Sequence, residues 1–271
     1  MTERFEHKKS LGQHFLNSRA IPDRMCKAAN LQTGDLVVEI GPGTGALTAI
    51  LLEHPVTVIA IETDERAIAH LKARFDPEIR SKRLIILDAD VRELDPASLG
   101  LSDHQYKVVA NIPYYLSGLL FRTFLESICQ PSDLVFLVQR EVATRITRDP
   151  KSSLLSLSVA AFGNPSYICT VGKGHFTPPP KVDSAVVAVR TISRDRLAGI
   201  DSKHFFDILH LGFGQKRKQL VGNLSRMYER SLITATLESL GLAPTIRAED
   251  IDLPTWVRLV LALATHHKST T

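Results

Sequence analysis

The residues that could carry the most specific chemistry are Asn111-Ile112-Pro113-Tyr114. They follow the apolar run 107–110, which is typical of a buried strand, so we expect them at a strand's carboxyl end, where open α/β sheets bind ligands. The Asn111 side-chain oxygen and the Ile112 backbone carbonyl can accept the two hydrogens of an exocyclic amine. Pro113 stiffens the turn, and the Tyr114 ring can stack on a flat base. The pattern predicts a catalytic pocket for the N6 amine of adenine.

A second aromatic candidate, Phe176, lies just before the prolines Pro178-Pro179-Pro180. Three prolines stiffen the loop that leads into the last predicted strand. We expect Phe176 to close the other face of the base. A core position, in which the ring anchors the loop, is the alternative.

Gly41 and Gly43 lie in a glycine-rich turn between a predicted strand and a predicted helix. Glycines let the backbone turn sharply and let a ligand approach closely, and the helix directs free N–H groups at that ligand. Glu62 ends the second predicted strand and can accept both hydroxyls of a ribose. Asp90 follows the third strand and can accept the exocyclic amine of a cofactor adenine, with Asp88 as its competitor.

The cofactor is ambiguous from the glycines alone. Gly41, Gly43 and Ala46 formally match a dinucleotide fingerprint with Glu62 at the right offset, so an NAD enzyme stays open. Glu39 precedes the glycines where such sites usually have an apolar residue. Its carboxylate would repel a pyrophosphate but suits a cation, and this favours S-adenosylmethionine, which carries an ammonium and a sulfonium.

Methyl transfer from a sulfonium to an amine is an in-line displacement in which positioning contributes most. Two acceptors on the N6 hydrogens would pull the nitrogen towards a pyramidal geometry and free its lone pair. No Asp or His base is then required. A base within a duplex must first be flipped out.

Composition places the chain of 271 residues among ordinary globular proteins, with 44% hydrophobic and 23% charged residues. Its three cysteines are widely spaced and form no zinc or disulfide pattern, which suggests reduced thiols in the cytoplasm and no metal. The first residues lack the apolar stretch of a secretory signal, and no apolar run is long enough to span a membrane. We expect a cytoplasmic monomer.

The net charge is +4, and the positive excess lies near the two ends of the chain. Residues 1–30 carry +3, residues 31–192 carry −2 and residues 193–271 carry +3. This distribution suits two basic lips that grip a phosphate backbone, although a solvated surface would look the same. The candidate RNA-binding residues are Lys8, Lys9, Lys216, Arg217 and Lys218.

Predicted strands alternate with helices from residue 36 to residue 191, which indicates a parallel sheet with helices on both faces. From about residue 193 only amphipathic helices follow, one of them over 216–226. The sequence therefore predicts an α/β domain over 1–193 and a small all-helical domain over 194–271.

Taken together, these motifs resemble the ribosomal RNA adenine dimethyltransferases of the kasugamycin-resistance type. The resemblance covers nearly the whole chain. It rests on Glu62, Asp90 and the segments 9–17, 39–45, 111–114, 139–145, 176–186 and 213–218.

This resemblance implies a Rossmann-like class I methyltransferase sheet with a helical domain that docks on ribosomal RNA. The implied reaction adds two methyl groups to N6 of each of two adjacent adenosines near the 3′ end of small-subunit rRNA, in a pre-ribosomal particle. The cofactor-binding residues to be expected are Gln13, His14, Leu16, Gly41, Gly43, Glu62, Asp90 and Asn111.

Two positions depart from the commonest family pattern. His14 stands where Asn is frequent, and a backbone contact there would survive the change. Tyr115-Leu116 stands where Asn-Ile is frequent, which affects the outer wall of the pocket. The competing hypotheses are the sister enzyme that methylates an adenine of large-subunit rRNA and confers macrolide resistance, and a non-catalytic nucleic-acid-binding relative.

Overall fold

The computed structural model describes residues 14–267, with the side chains of residues 14–264. Contacts divide this part of the chain into two compact units. The first unit holds residues 14–144 and 164–192, and the second holds 145–163 and 193–267. The sequence-based division differs from this one chiefly in segment 145–163, which it assigned to the first domain.

The first unit contains the strands and six of the helices in the described range. Its strands are β1 (Phe15–Leu16), β2 (Leu36–Ile40), β3 (Thr57–Glu62), β4 (Leu84–Asp88), β5 (Lys107–Asn111), β6 (Asp133–Gln139), β7 (Asn164–Val171), β8 (Phe176–Thr177) and β9 (Ser184–Arg190). Its helices are α1 (Ala20–Ala28), α2 (Ala46–Leu51), α3 (Glu65–Arg74), α4 (Asp76–Arg80), α5 (Ser117–Leu125) and α6 (Arg140–Thr147), the last of which continues into the second unit.

Within residues 14–267, seven strands form the main sheet in the order β4-β3-β2-β5-β6-β9-β7. The pairs from β4 to β6 are parallel, while β9 runs antiparallel to β6 and β7 antiparallel to β9. The predicted α/β sheet is confirmed, and its far edge is antiparallel rather than parallel. The sequence did not reveal β7, because this edge strand has Pro165 as its second residue and is mostly half-buried, without a clear apolar alternation.

The central strands are buried on both faces. Residues 134–138 of β6 and 108–110 of β5 have no exposed surface. Successive strand residues point to opposite faces, so both faces must be covered, and an unbroken apolar run replaces the alternation of a half-exposed strand.

The chain order of the strands reverses beside β2. From β2 the chain moves outward through β3 to β4, and then returns to place β5 on the other side of β2. Ligands of open α/β sheets bind at such a switch point, outside the carboxyl ends of the strands. The glycine turn after β2 and the Asn111 turn after β5 therefore lie side by side.

The second unit is helical in the described range. Besides the end of α6, its helices are α7 (Leu154–Ala160), α8 (Ser202–Gly212), α9 (Leu220–Leu224), α10 (Arg230–Ser239) and α11 (Leu253–His267). Trp256 is completely buried and stacks on Phe213, with ring centroids 5.9 Å apart. No helix among residues 14–267 combines the length and apolar character needed to cross a membrane.

The helix predicted over 216–226 is wrong at its start. It begins only at Leu220, and Lys216 to Lys218 lie in the exposed turn before it. The Asn223 amide donates hydrogen bonds to the carbonyls of Gly212 (2.6 Å) and Gln215 (3.2 Å). These bonds hold the chain after α8 as a turn and keep it from continuing as a helix.

Candidate active site

A cavity of about 250 Å³ opens at the carboxyl ends of β2, β3, β4 and β5. Of the predicted cofactor residues, its lining includes His14, Gly41, Gly43, Glu62, Asp90 and Asn111. The rest of the predicted base pocket, Ile112, Pro113 and Tyr114, lines the same cavity. One concave site thus unites residues that are far apart in the sequence.

The glycine turn forms one side of the cavity with a backbone that only glycine adopts easily. Gly41 and Gly43 have φ values of +63° and +56°. A Cβ atom on Gly43 would lie 2.6 Å from Cε1 of Phe15, whereas a Cβ on Gly41 would meet no atom within 4 Å. The turn therefore packs tightly against Phe15 at Gly43 and leaves open space at Gly41.

Phe15 lines the cavity and was missed by the sequence reasoning, which singled out its neighbours His14 and Leu16. Leu16 is 8% exposed, belongs to the hydrophobic core and does not line the cavity. Neighbouring residues of a strand point to opposite faces. Because Leu16 points into the core, its neighbour Phe15 must point the other way, towards the cavity. This alternation is the signal in the sequence that could have identified Phe15.

Glu62 is buried beside the glycine turn, and backbone N–H groups satisfy its carboxylate. Oε1 accepts from Thr63 (2.8 Å) and Asp64 (3.0 Å), and Oε2 accepts from Gly43 (3.1 Å). A carboxylate oxygen has two acceptor sites, so Oε2 keeps capacity for a ligand hydroxyl. The three bonds fix the orientation of this group.

Asp90 lines the cavity, while the competing carboxylate Asp88 is exposed and does not. Both oxygens of Asp90 accept from the Arg92 guanidinium, and Oδ1 also accepts from the Arg92 backbone N–H at 2.8 Å. The side-chain hydrogen bond from Arg92, followed by its backbone hydrogen bond, lowers the pKa of Asp90. The carboxylate is therefore a held, charged acceptor.

Glu39 lies under the glycine turn and does not line the cavity. Its side chain is 1% exposed and accepts a hydrogen bond of 2.7 Å from Thr48 Oγ1. Burial raises the pKa of Glu39 to about 8, with a smaller contribution from the charge of Glu62. The direct attraction for a cationic ligand that we expected from this carboxylate is absent, because the group is buried and mostly protonated at neutral pH.

Asn111 ends β5 with its side chain directed into the cavity. Its Nδ2 donates to the backbone carbonyl of His14 at 3.2 Å. A carbonyl can only accept, so the amide NH₂ must face it and Oδ1 must face away. No residue within 14–267 donates a hydrogen bond to that oxygen, which leaves it available to an amine.

The Tyr114 ring is held at both its hydroxyl and its face. Its hydroxyl shares a hydrogen bond of 2.7 Å with Ser184 Oγ, and burial raises its pKa. The His14 ring stacks on it with centroids 5.9 Å apart, and His14 Nδ1 lies 2.8 Å from the Pro178 carbonyl oxygen. Ile112 is almost fully buried, which anchors the peptide between Asn111 and the aromatic ring.

Phe176 lies outside the cavity lining. Its side chain is 2% exposed within the hydrophobic core, and β8 pairs with β1 so that Leu16 faces Phe176. A ring buried in this way cannot stack on a base. Phe176 therefore occupies the core position that the sequence analysis gave as the alternative. Lys8, Lys9 and Gln13 lie outside the described residues.

No group of three or more His, Cys, Asp or Glu side chains within the described range could hold a metal ion. The carboxylate and amide side chains that line the cavity are those of Glu62, Asp64, Asp90 and Asn111. This donor set suits the hydroxyls and amines of a nucleoside.

Comparisons with known proteins agree with this geometry. A family model described as ribosomal RNA adenine dimethylase matches residues 4–265. A ribosomal RNA small subunit methyltransferase A from Dehalococcoides mccartyi (strain CBDB1) is 37% identical over 262 residues, which cover 95% of this chain and 88% of the relative.

Two solved structures share the fold over almost the whole chain. A dimethyladenosine transferase from Plasmodium falciparum has a TM-score of 0.78 at 25% identity and covers 94% of this chain and 98% of its own. A 23S rRNA methyltransferase, ErmE, has a TM-score of 0.71 at 23% identity and covers 92% and 99%. The class I methyltransferase fold and the family resemblance are both confirmed, and the chain belongs to the ribosomal RNA adenine dimethylase family, enzymes that take their methyl group from S-adenosylmethionine.

Proposed function

We propose that this protein dimethylates N6 of two adjacent adenosines near the 3′ end of small-subunit rRNA. It acts as a monomer on a pre-ribosomal particle in the cytoplasm. The name of the relative from Dehalococcoides mccartyi supports the small-subunit substrate. The observation that carries the proposal is the available Asn111 Oδ1 in the same cavity as Glu62 and Asp90.

The cofactor side of the cavity consists of Gly41, Gly43, Glu62 and Asp90. S-adenosylmethionine, when bound, supplies a methyl group already activated by its sulfonium. Glu62 would accept a ribose hydroxyl at Oε2, through the remaining capacity of a carboxylate that three N–H groups hold in place. Asp90, held by Arg92, accepts the amine of the cofactor adenine.

The target side consists of Asn111, Ile112 and Tyr114. In the first transfer, Asn111 Oδ1 and the Ile112 carbonyl accept the two N6 hydrogens and direct the nitrogen lone pair away from the ring. In the second transfer, one of these two acceptors binds the single hydrogen that remains on N6. Tyr114 stacks on the base, and such a contact contributes about 1–3 kcal/mol. The methylated nitrogen is acidic enough to lose its proton to water, so no side-chain base is needed.

Methylation of isolated immature subunits tests this function. The protein and labelled S-adenosylmethionine are incubated with immature small or large subunits, and modified nucleosides are quantified by mass spectrometry. We expect N6-dimethyladenosine in the small-subunit RNA only. Transfer to the large subunit alone would favour the macrolide-resistance type, and transfer to neither would favour a non-catalytic binder.

The turn with Lys216, Arg217 and Lys218 is exposed and offers three cations to a phosphate backbone. Replacing all three with Ala should weaken binding to small subunits and reduce the slope of log K against log salt by up to about 3. Titrations at several salt concentrations measure this slope. An unchanged slope would place the phosphate contacts elsewhere.

A further inference from the structure

Tyr115 is an aromatic residue at the rim of the cavity, and 70% of its surface is exposed. The backbone on both sides of it is fixed. The Leu116 N–H donates to the Pro113 carbonyl at 2.9 Å, and Ser117 Oγ donates to the Tyr114 carbonyl at 2.9 Å. A large ring is therefore held in solvent by a rigid turn, although burying it would be favourable.

The two neighbouring tyrosines point in different directions. They lie in a short 3₁₀ helix, Tyr114–Leu116. Because a 3₁₀ helix has about three residues per turn, successive side chains point in different directions around its axis. Tyr114 points inward and bonds to Ser184, while Tyr115 points outward. Both line the same cavity, so one aromatic ring lies inside it and a second lies at its mouth.

We propose that Tyr115 stacks on the adenosine next to the one whose base occupies the cavity, and so sets which of the two target adenosines enters. This inference rests on the proposed function, in which the substrate presents two adjacent adenosines. A base that enters a pocket leaves its neighbour on the strand just outside. Every base offers a π-face, so an exposed ring can bind that neighbour without reading its edges.

Arg92 adds a cation on the same side of the cavity. It lines the cavity near Tyr115 and is exposed. Its guanidinium already holds Asp90. A positive charge beside the ring suits the phosphate that joins the two adenosines.

The test compares three variants on immature small subunits. Tyr115→Ala removes the ring, Tyr115→Phe keeps it without the hydroxyl, and Ile128→Ala removes another exposed apolar side chain, one that does not line the cavity. The KM for the particle and kcat are measured, and dimethylation of each adenosine is quantified by mass spectrometry.

We expect Tyr115→Ala to raise KM about tenfold, more than it lowers kcat, and to change the ratio of methylation at the two adenosines. Tyr115→Phe should restore most of the loss, Ile128→Ala should match wild type, and cofactor affinity should stay close to wild type in all three. A wild-type KM and ratio in Tyr115→Ala would overturn the inference, as would a Tyr115→Phe variant as impaired as Tyr115→Ala. Absence of transfer by the wild-type protein would instead overturn the proposed function, and this inference with it.

Discussion

The two sides of the cavity differ in how much of their hydrogen-bonding capacity the protein already uses. On the cofactor side, Glu62 accepts three backbone N–H groups and Asp90 accepts several bonds from Arg92. On the target side, Asn111 Oδ1 has no donor within residues 14–267. The acceptors for the cofactor are held in fixed orientations, and the acceptor for the base is kept open.

Because of this difference, we expect the cofactor side to contribute mainly to binding and the target side mainly to the methyl-transfer step. Groups held in advance lose little freedom when a ligand arrives, so they contribute to affinity. An acceptor that meets its partner only as the base enters contributes most where the amine changes geometry. Changes on the two sides should therefore affect different kinetic constants.

The largest expected effect comes from Asn111→Ala. We expect turnover to fall by at least about 100-fold, because an oriented acceptor on the reacting amine is lost. Single-turnover methylation measures the loss, and thermal unfolding checks that the variant is folded. Near-wild-type turnover would mean that another group activates the amine.

Glu62→Ala should mainly weaken cofactor binding, with Kd raised by about 10- to 100-fold for the loss of charge-assisted hydrogen bonds. Titration calorimetry with S-adenosylmethionine measures Kd. Asp88→Ala is the matched control, because Asp88 pairs in register with Glu62 on the next strand but does not line the cavity. An unchanged Kd in Glu62→Ala would refute the ribose assignment.

Glu39→Gln tests the buried acid under the glycine turn by its pH dependence. Burial raises the pKa of Glu39 to about 8, so the folded protein holds a proton that the unfolded chain releases near its ordinary value of 4.5. The stability that this proton provides is complete below the unfolded pKa and is lost as pH rises towards 8. Between pH 5 and pH 8, the free energy of unfolding of the wild type should fall by about 1 kcal/mol or more relative to that of Glu39→Gln.

Urea unfolding at several pH values measures this difference. Glu238→Gln, at an exposed position of α10, provides the control and should run parallel to the wild type. If the free energies of unfolding of wild type and Glu39→Gln differ by the same amount at every pH, Glu39 is ionised in the folded protein.

Gly43→Ala should mainly lower the free energy of unfolding and should change turnover little. The positive φ alone costs about 1–2 kcal/mol, and the close Phe15 ring adds to this. Gly100→Ala is matched in φ, at +69°, but its Cβ would meet nothing within 4 Å. Equal losses of unfolding free energy in the two variants would show that Phe15 yields at no cost and that the turn is less rigid than described.

The sequence predicted the elements that local patterns specify. The apolar runs of β2, β3 and β5 and the polar residues after them placed Glu62 and Asn111 correctly at strand ends. Strand β7 was invisible, because an edge strand need not show a buried pattern.

Side-chain directions were less predictable than positions. Whether Phe176 faces the cavity or the core depends on its pairing with Leu16, which lies about 160 residues away and leaves no local signal. The same holds for Glu39, whose charge state depends on burial and on Thr48. The Asn111 orientation likewise depends on a backbone carbonyl that no side-chain pattern reveals.

The pairing of β1 with β8 has a consequence for synthesis. His14 is made 164 residues before Pro178, and Phe15 and His14 reach their places only against Thr177 and Pro178. A nascent chain that has emerged only as far as β6 would carry the glycine turn and Asn111. It would lack β8, the strand that pairs with β1 and holds Phe15 and His14 at the cavity. Competence to hold a nucleoside should therefore arise late in translation, after most of the first unit has left the ribosome.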